Sequence, residues 1–310
     1  MSDSPITGVL PVLHTPLLDD DRVDRESLRR EIDWAFDLGV QGVCAAMVSE
    51  VLRLTVEERI ELTHLMVEIT AGRGVVISSV GAESIEQALW FARQARQAGC
   101  HAVMAIPPIS AALPDEALYH YFASLADAVD LPLIVQDASS YVGRAIPISL
   151  HARLLDQYGE NKILFKPEAA PIGPHLSALR DKTAGRARIF DGSGGILLVD
   201  AYRRGIVGTM PGCDLLDGVV ALWRALSSGD EPSIYRLYFP ICAIVALQLQ
   251  AGLDGFLAIS KYIMVKRGLF TTDRRREPFS WSLDEETAAE VDRLLVHLEN
   301  ALTSEPGELG

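Results

Sequence analysis

The feature that most constrains the fold of this sequence is a repeated unit, in which a helical segment ends at a glycine and a short apolar strand follows. The unit occurs at residues 35–46, 95–106 and 202–210. Gly39, Gly99 and Gly205 stand where the helices end, because glycine adopts the left-handed conformation of that position without strain. The apolar segments predict eight strands, at residues 9–14, 42–46, 75–79, 102–106, 133–137, 163–166, 187–191 and 207–210.

Amphipathic helices with recognisable first turns separate these strands. Thr55 and Glu58 have the spacing of a capping box, Ser84 and Gln87 repeat it, and Asp115 opens a further helix. Strands that are apolar on both faces and alternate with helices indicate a parallel sheet covered on both sides. Eight such units in about 210 residues predict an α/β fold of the (β/α)8 TIM-barrel type rather than an open sheet. The G-x-G-x-x-G fingerprint of dinucleotide binding does not follow the first strand.

After Met210 the strand pattern stops and the sequence becomes helical. We predict helices at residues 215–227, 234–249, 256–267 and 285–302. A C-terminal helical extension packed on the barrel is the simplest account of this segment. We therefore divide the chain into residues 1–213, the barrel with its catalytic mouth, and residues 214–310, the last barrel helix with the extension.

The charge balance argues against a nucleic-acid partner. Twenty-eight basic and 42 acidic residues give a net charge of −14, so the surface repels phosphate backbones. No apolar run approaches the ~20 residues that span a bilayer, and we expect no membrane partner. Residues 1–8 lack the basic and apolar regions of a secretory signal, and the four cysteines show no CxxC spacing. These observations favour a cytoplasmic protein with reduced thiols.

The sixth predicted strand ends in a lysine, at the edge of a barrel where active sites lie. Side chains alternate along a strand, so Lys166 points into the mouth of the barrel if Leu164 points into its interior. Burial lowers the pKa of a lysine amine, and a neutral amine attacks ketones to form Schiff bases. The alternative is a strand-end lysine that reaches out to water.

Three other strand ends carry polar or small residues. Gln136 and Asp137 end the fifth strand on opposite faces, and they either bind a substrate oxygen or cap the strand and start a turn. Ser49 follows the second strand, where its hydroxyl and the nearby backbone N–H groups are candidates to receive a carboxylate. Gly192 follows the seventh strand in a glycine-rich segment that allows close approach of a ligand.

In the order of these features, the chain resembles the dihydrodipicolinate synthase/N-acetylneuraminate lyase family, the pyruvate-type class I aldolase barrels. The resemblance runs from about residue 6 to residue 302. The matching segments are residues 8–16 (GVLPVLHTP), 49–59 (SEVLRLTVEER), 105–108, 131–143 and 163–168 (ILFKPE). The resemblance implies that Lys166 forms a Schiff base with a small 2-keto acid. It also implies a homo-oligomer, either a tetramer or a dimer, and chemistry that needs no cofactor or metal.

The chain departs from the family pattern at its hydroxyl-bearing positions. Where the family carries G-T-T-G-E, this sequence reads AMVSE at residues 46–50, so both threonine hydroxyls are absent. Gln136 stands at the position of the tyrosine that relays protons, and Ile109 stands at that of a second tyrosine. Without these tyrosines the usual relay cannot operate, so neither a dihydrodipicolinate synthase nor an ordinary sialic-acid aldolase is expected.

One branch of the family, the L-2-keto-3-deoxyarabonate dehydratases, is more similar. The shared motifs are V-Q-D-A at residues 135–138, S-E at 49–50, M-A-x-P-P at 104–108 and D-G at 191–192. Two positions differ: the branch has Asn-Phe where this chain has Met47 and Val48, and a tyrosine where it has Ile109. The reaction type is therefore better defined than the substrate.

This resemblance implies a lyase that eliminates water from a 2-keto-3-deoxy sugar acid such as L-2-keto-3-deoxyarabonate. Lys166 would form the iminium that acidifies C3, Gln136 would orient a substrate oxygen or a water, and Ser49 would hold the carboxylate or relay a proton. The catalytic candidates are Lys166, Gln136 and Ser49, and the substrate-binding candidates are Val48, Ser49, Gln136, Asp137, Gly192 and Met210. The general base is not identified.

Two alternatives stay open. The first is a pyruvate-dependent aldolase of the same family, in which another tyrosine, such as Tyr141, replaces the missing relay. The second is a catalytically degenerate barrel that binds a keto acid.

Overall fold

The structure, a computed structural model, describes residues 6–140 and 142–304. Within these residues the chain forms eight strands and eleven α-helices in strict alternation up to the eighth helix. The strands are β1 Gly8–Val9, β2 Gly42–Cys44, β3 Val75–Ser79, β4 Ala102–Ala105, β5 Leu133–Asp137, β6 Ile163–Pro167, β7 Phe190–Asp191 and β8 Gly208–Thr209. All eight correspond to strands that the sequence pattern predicts.

The helices cover the outside of the strands. They are α1 Arg25–Asp37, α2 Val56–Thr70, α3 Ile85–Ala98, α4 Asp115–Ala128, α5 Ile148–Tyr158, α6 Ile172–Lys182, α7 Leu198–Arg203, α8 Leu216–Ser228, α9 Glu231–Leu249, α10 Gly252–Lys266 and α11 Glu285–Thr303. The predicted capping box is confirmed, since Thr55 Oγ1 accepts from the N–H of Glu58 and Glu58 Oε2 accepts from that of Thr55. Gly99, at φ +95°, ends α3 in the left-handed conformation.

The strands close into a parallel barrel. The strands β2 to β6 pair in chain order, and β8 lies between β1 and β7. Two bridges join the groups, one between Val12 and Cys44 and one between Phe165 and Ile189. The predicted (β/α)8 barrel is therefore confirmed. The first strand is shorter than predicted, although the N–H groups of Leu10 and Val12 continue to donate to the carbonyls of Thr209 and Pro211.

Two apolar layers lie on either side of the barrel wall. The inner layer fills the barrel and includes Leu10, Ile77, Met104, Ile134 and Leu164. The outer layer lies between strands and helices, and alternate residues of the same strands point into it. Because the interior is packed, a site for a ligand can open only at the ends of the barrel.

The C-terminal helices pack on one another. Helix α8 packs against β1, and α9 packs against α8, α10 and α11. Among the described residues, α9 is the one helix that by length and composition could span a membrane, and a single such helix is weak evidence for a membrane segment. A loop between α10 and α11 returns to the mouth of the barrel, where Arg276 meets Glu58 of α2 at 2.7 Å. The division of the chain after residue 213 stays a prediction.

Candidate active site

A narrow cavity of about 20 Å³ opens at the carboxyl ends of the barrel strands. Leu164 lies in the inner apolar layer, so the alternation of β6 directs Lys166 into this cavity, as predicted. The Lys166 side chain is only 4% exposed. Such a lysine is not a surface residue reaching out to water, because its amine ends inside the barrel.

The amine of Lys166 is paired with a carboxylate two residues further along the chain. Glu168 Oε1 lies 2.9 Å from Lys166 Nζ, and Gln136 Nε2 donates to Glu168 Oε2 over 2.7 Å. The backbone N–H of Glu168 donates to the carbonyl of Asp137 at 2.9 Å, which continues the β5–β6 ladder past Pro167. The three side chains thus form a buried polar chain in which each oxygen of Glu168 has a partner.

Burial controls the protonation of the acidic groups beside Lys166. Desolvation raises the pKa of Glu168, although the Lys166 charge and the Gln136 hydrogen bond lower it in part. Desolvation also raises the pKa of Asp191, which is opposed by hydrogen bonds from Ser193 and Thr209. A carboxylate whose pKa is raised in this way takes up a proton more readily than an exposed one.

Gly192 gives these groups the room they need. A Cβ on this residue would lie 2.7 Å from Lys166 Nζ, and it would also meet Oε1 of Glu168. Any larger residue would displace the ion pair. Gly192 therefore accommodates the close approach of two side chains, a reason that sequence alone does not reveal.

The opposite wall of the cavity is the short 3₁₀ turn Met47–Ser49 that follows β2. Met47 and Val48 line the cavity with apolar side chains. The first N–H groups of a helical turn have no acceptor within it, so the backbone of this wall can still receive a carboxylate.

Ser49 itself does not reach the cavity. Its hydroxyl donates to the carbonyl of Leu13 and accepts from the N–H of Ala46 at 3.2 Å, and the residue is fully buried. The carbonyl of Ser49 accepts from Thr15 Oγ1 at 2.7 Å. The Ser49 side chain therefore stabilises the turn, and it does not line the cavity in which a substrate-binding residue is expected.

An ion pair from the C-terminal helices also holds this turn. Glu50, at φ +55°, pairs with the fully buried amine of Lys261 on α10. The second oxygen of Glu50 accepts from the N–H of Arg276 at 2.8 Å. Helix α10 and the returning loop are thus tied to the wall of the cavity.

Asp137 points away from the cavity, in keeping with the alternation of β5. Its two oxygens accept from the backbone N–H groups of Ser139 at 3.0 Å and Ile146 at 2.7 Å. Asp137 is 1% exposed, and both bonds shape the loop between β5 and α5. This position matches the second predicted role of Asp137, that of a residue that caps the strand and starts a turn.

The structure brings together five of the seven predicted site residues. The cavity is lined by Val48, Gln136, Lys166, Gly192 and Met210, and not by Ser49 or Asp137. The sequence reasoning missed Glu168, although the i, i+2 spacing from Lys166 could have indicated it. It also missed Phe256 of α10, which lines the cavity from a distant segment. Tyr141 lies outside the described residues.

No group of three or more histidine, cysteine or carboxylate side chains suited to a metal occurs among residues 6–140 and 142–304. In the same part of the chain the four cysteines are unpaired. Burial raises the pKa of the Cys44 thiol to about 12, although the charge of Lys166 opposes this rise.

Comparison with known proteins agrees with the resemblance seen in the sequence. The L-2-keto-3-deoxyarabonate dehydratase of Azospirillum brasilense is 29% identical over 295 residues, which cover 92% of each chain. The 4-hydroxy-tetrahydrodipicolinate synthase of Methanosarcina acetivorans is 26% identical over 77% of this chain and 81% of that protein.

Solved structures share the fold. The 4-hydroxy-tetrahydrodipicolinate synthase of Methylacidiphilum fumariolicum SolV superposes with a TM-score of 0.86, over 96% of this chain and 97% of that one, at 21% identity. The model of the Dihydrodipicolinate synthetase family matches residues 5–298. With nearly the whole chain matched, the protein belongs to the dihydrodipicolinate synthetase family and is a lyase of that family.

Proposed function

We propose that the protein is a Schiff-base-forming dehydratase of 2-keto-3-deoxy sugar acids such as L-2-keto-3-deoxyarabonate. The observation that carries this proposal is the buried contact of 2.9 Å between Lys166 Nζ and Glu168 Oε1. It puts a nucleophilic amine beside a group that can accept and return a proton. The likeness to a dehydratase of this kind supports the choice of substrate class.

The first part of the proposed reaction joins the substrate to Lys166. The backbone N–H groups at Met47 and Val48 hold the substrate carboxylate, which sets the C2 ketone against the amine. Glu168 takes a proton from the Lys166 ammonium, and the neutral amine adds to C2. The Glu168 carboxyl then returns this proton to the C2 oxygen, which leaves as water with a second hydrogen from the amine. An iminium and a deprotonated Glu168 remain, and the positive charge of the iminium makes the C3 hydrogens acidic.

The second part removes the C4 hydroxyl. Glu168, within reach of C3 because it borders Lys166, takes a C3 proton and leaves an enamine. The enamine electrons form the C3–C4 double bond as the C4–O bond breaks, and the Glu168 carboxyl returns its proton to the departing hydroxide, which leaves as water. Gln136 holds Glu168 in place through the 2.7 Å hydrogen bond to its other oxygen.

The last part produces the aldehyde in the five-carbon case. The conjugated iminium loses a C5 proton and gains one at C3, which turns C4 and C5 into an enol. The enol tautomerises to the C5 aldehyde, and hydrolysis of the iminium frees Lys166. The sum is the loss of one water, and the product is α-ketoglutarate semialdehyde.

Dehydration suits these residues better than aldol cleavage does. Cleavage requires a base that removes the proton of the C4 hydroxyl, and the tyrosine positions of the family hold Gln136 and Ile109. An amide does not titrate in the relevant range, so Gln136 cannot act as that base. Elimination needs only a base at C3 and an acid at the C4 oxygen, and Glu168 can be both in turn.

The test is the identity of the products from L-2-keto-3-deoxyarabonate. Formation of α-ketoglutarate semialdehyde without pyruvate supports the dehydratase. Release of pyruvate and glycolaldehyde would establish the aldolase instead. A Lys166→Ala protein is the control, and it must be inactive and folded for either result to be assigned to this cavity.

We include two further expectations in this proposal, a homo-oligomeric assembly and a cytoplasmic location. The first is suggested by membership of the family. The second rests on the four cysteines, which are unpaired in the described part of the chain. Sedimentation analysis of the purified protein tests the assembly.

A further inference from the structure

A second cavity adjoins the one that holds Lys166. The two share Glu168 and Gly192 as a common wall, and the second has a volume of about 300 Å³. It runs outward between the loop after β5, the start of α6, the loop after β7 and the end of α9. In a substrate whose carboxylate lies at Met47 and whose C2 lies at Lys166, C3 and C4 would lie beside Glu168. The carbons beyond C4 would then enter this second cavity.

The lining of the second cavity is mainly aliphatic. Ile172, Ile196, Leu197 and Leu249 contribute side chains from three different segments. Leu249, at the last position of α9, is 37% exposed and is among the large apolar side chains that the fold leaves in contact with water. Ile172, the first residue of α6, is also half-buried. Apolar groups left open beside a catalytic cavity can gain free energy by covering an apolar ligand.

Few polar groups of this cavity are free to bind a hydroxyl. The N–H of Ser193 donates to Asp191 at 3.2 Å, and the hydroxyl of Ser193 accepts from the N–H of Leu197 at 3.0 Å. Glu168 is engaged by Lys166 and Gln136. Ser140, an exposed residue at the rim, is the remaining polar side chain in the described lining. A chain of several hydroxyls would therefore find few side-chain partners along this lining, and each hydroxyl that the lining covers without a partner costs free energy.

We propose that this cavity binds the distal end of the substrate, and that this end is a short alkyl chain rather than a polyhydroxylated one. The inference rests on the proposed function, which fixes the end of the substrate that lies at Lys166. The favoured substrates are 2-keto-3-deoxy acids whose carbons beyond C5 carry no oxygen. Ile172, Ile196 and Leu249 are then the residues that determine specificity for the tail.

Borohydride trapping tests the proposal without requiring turnover. The probes are pyruvate, 2-oxobutanoate, 2-oxopentanoate and 2-oxohexanoate, with 2-keto-3-deoxygluconate as the polyhydroxylated comparison. We expect the half-saturating concentration to fall about fourfold for each methylene beyond C4, the usual gain from burying a methylene. We expect 2-keto-3-deoxygluconate to need at least about tenfold more than 2-oxohexanoate.

Substitutions in the cavity separate this subsite from general effects. Leu249→Ser and Ile172→Ser should remove most of the gain for 2-oxohexanoate and leave pyruvate trapping within about twofold, because pyruvate does not reach either side chain. Val296→Ser is the matched control, since Val296 is a 54% exposed aliphatic residue on α11, far along the chain from the cavity lining. Val296→Ser should change neither the half-saturating concentration of pyruvate nor that of 2-oxohexanoate.

Four outcomes would overturn the proposal. Equal half-saturation across the four unbranched acids, or tighter binding of 2-keto-3-deoxygluconate, would show that the subsite does not favour alkyl tails. A Leu249→Ser protein that changes its oligomeric state but keeps the order of affinities would show that Leu249 faces a second copy of the chain. Failure to trap pyruvate itself would overturn the proposed function, and this inference with it.

Discussion

Oε1 of Glu168 lies 2.9 Å from Nζ of Lys166, and both side chains are at most 4% exposed. This pair places a carboxylate beside the lysine at the end of the sixth strand. The carboxylate has a second partner in Gln136, so its position is fixed from two neighbouring strands. The proposed roles of Glu168 lead to predictions that can be checked one at a time.

The first prediction concerns Glu168 as the proton carrier. Glu168→Gln keeps the size and a hydrogen-bonding group but cannot accept a proton from C3, so kcat for dehydration should fall by about 10²- to 10⁴-fold. Steady-state kinetics with L-2-keto-3-deoxyarabonate checks this. Glu160→Gln, at an exposed position after α5, is the control and should be unchanged. A Glu168→Gln enzyme with wild-type kcat would exclude Glu168 as the base.

The second prediction concerns pH. Burial raises the pKa of Glu168 above its ordinary value of 4.5, and the base works only when deprotonated. The acidic limb of kcat/KM should therefore have its midpoint above pH 4.5, with activity lost as the pH falls through it. The effect of this raised pKa on stability has the opposite pH dependence to the activity, because the folded state favours the protonated carboxyl of Glu168. The stabilisation by the protonated carboxyl is fully present below pH 4.5 and is lost as the pH rises through the raised pKa of Glu168.

The measurement for the second prediction is the pH profile of wild type and of Glu168→Asp. The aspartate variant should keep an acidic limb with a shifted midpoint and a lower maximum. A midpoint that Glu168→Asp leaves in place would assign the limb to another group, such as Asp191, whose pKa is also raised by burial.

The third prediction concerns Gly192. In Gly192→Ala the new methyl group would stand 2.7 Å from Lys166 Nζ, so the amine must move out of place. We expect a loss in kcat/KM of about 10²-fold or more, as for other misplaced catalytic groups, with little change in secondary structure. Gly185→Ala is an informative control, because Gly185 has φ +78° and open space around it. It should cost about 1–2 kcal/mol of stability and leave kcat/KM intact.

The fourth prediction concerns the buried pair of Glu50 and Lys261. Removing one partner leaves an uncompensated buried charge, so Glu50→Gln and Lys261→Met should each lower the free energy of unfolding by about 3–5 kcal/mol. The double variant should lose less than the sum of the two, since neither charge is then left alone. Urea unfolding measures all three, and strictly additive losses would contradict direct pairing.

These residues also show which parts of the structure can be predicted from the sequence alone. The barrel was predictable because strand and helix periods recur along the chain with glycines at the helix ends. Lys166 was predictable because alternation along β6 fixes its direction once Leu164 is known to be buried. The same alternation also indicated that Asp137 and Gln136 face opposite ways.

The remainder depends on contacts that sequence does not display. Ser49 was a reasonable carboxylate binder by type and place, but the backbone groups of Leu13 and Ala46 engage its hydroxyl. Glu50 and Lys261 are 211 residues apart, and only the fold brings them together. Glu168 was overlooked because Pro167 marks the end of β6, although the ladder in fact continues through the N–H of Glu168.

The central claim is that Lys166 carries the substrate as an iminium and that water is then lost. The most direct measurement is borohydride reduction in the presence of L-2-keto-3-deoxyarabonate, followed by peptide mass spectrometry. The account predicts an adduct on Lys166 that includes a species lighter than the intact substrate adduct by one water, and no adduct in Lys166→Ala. An adduct of intact pyruvate mass would contradict dehydration, and substrate trapped by the Lys166→Ala protein would contradict the assignment of this lysine.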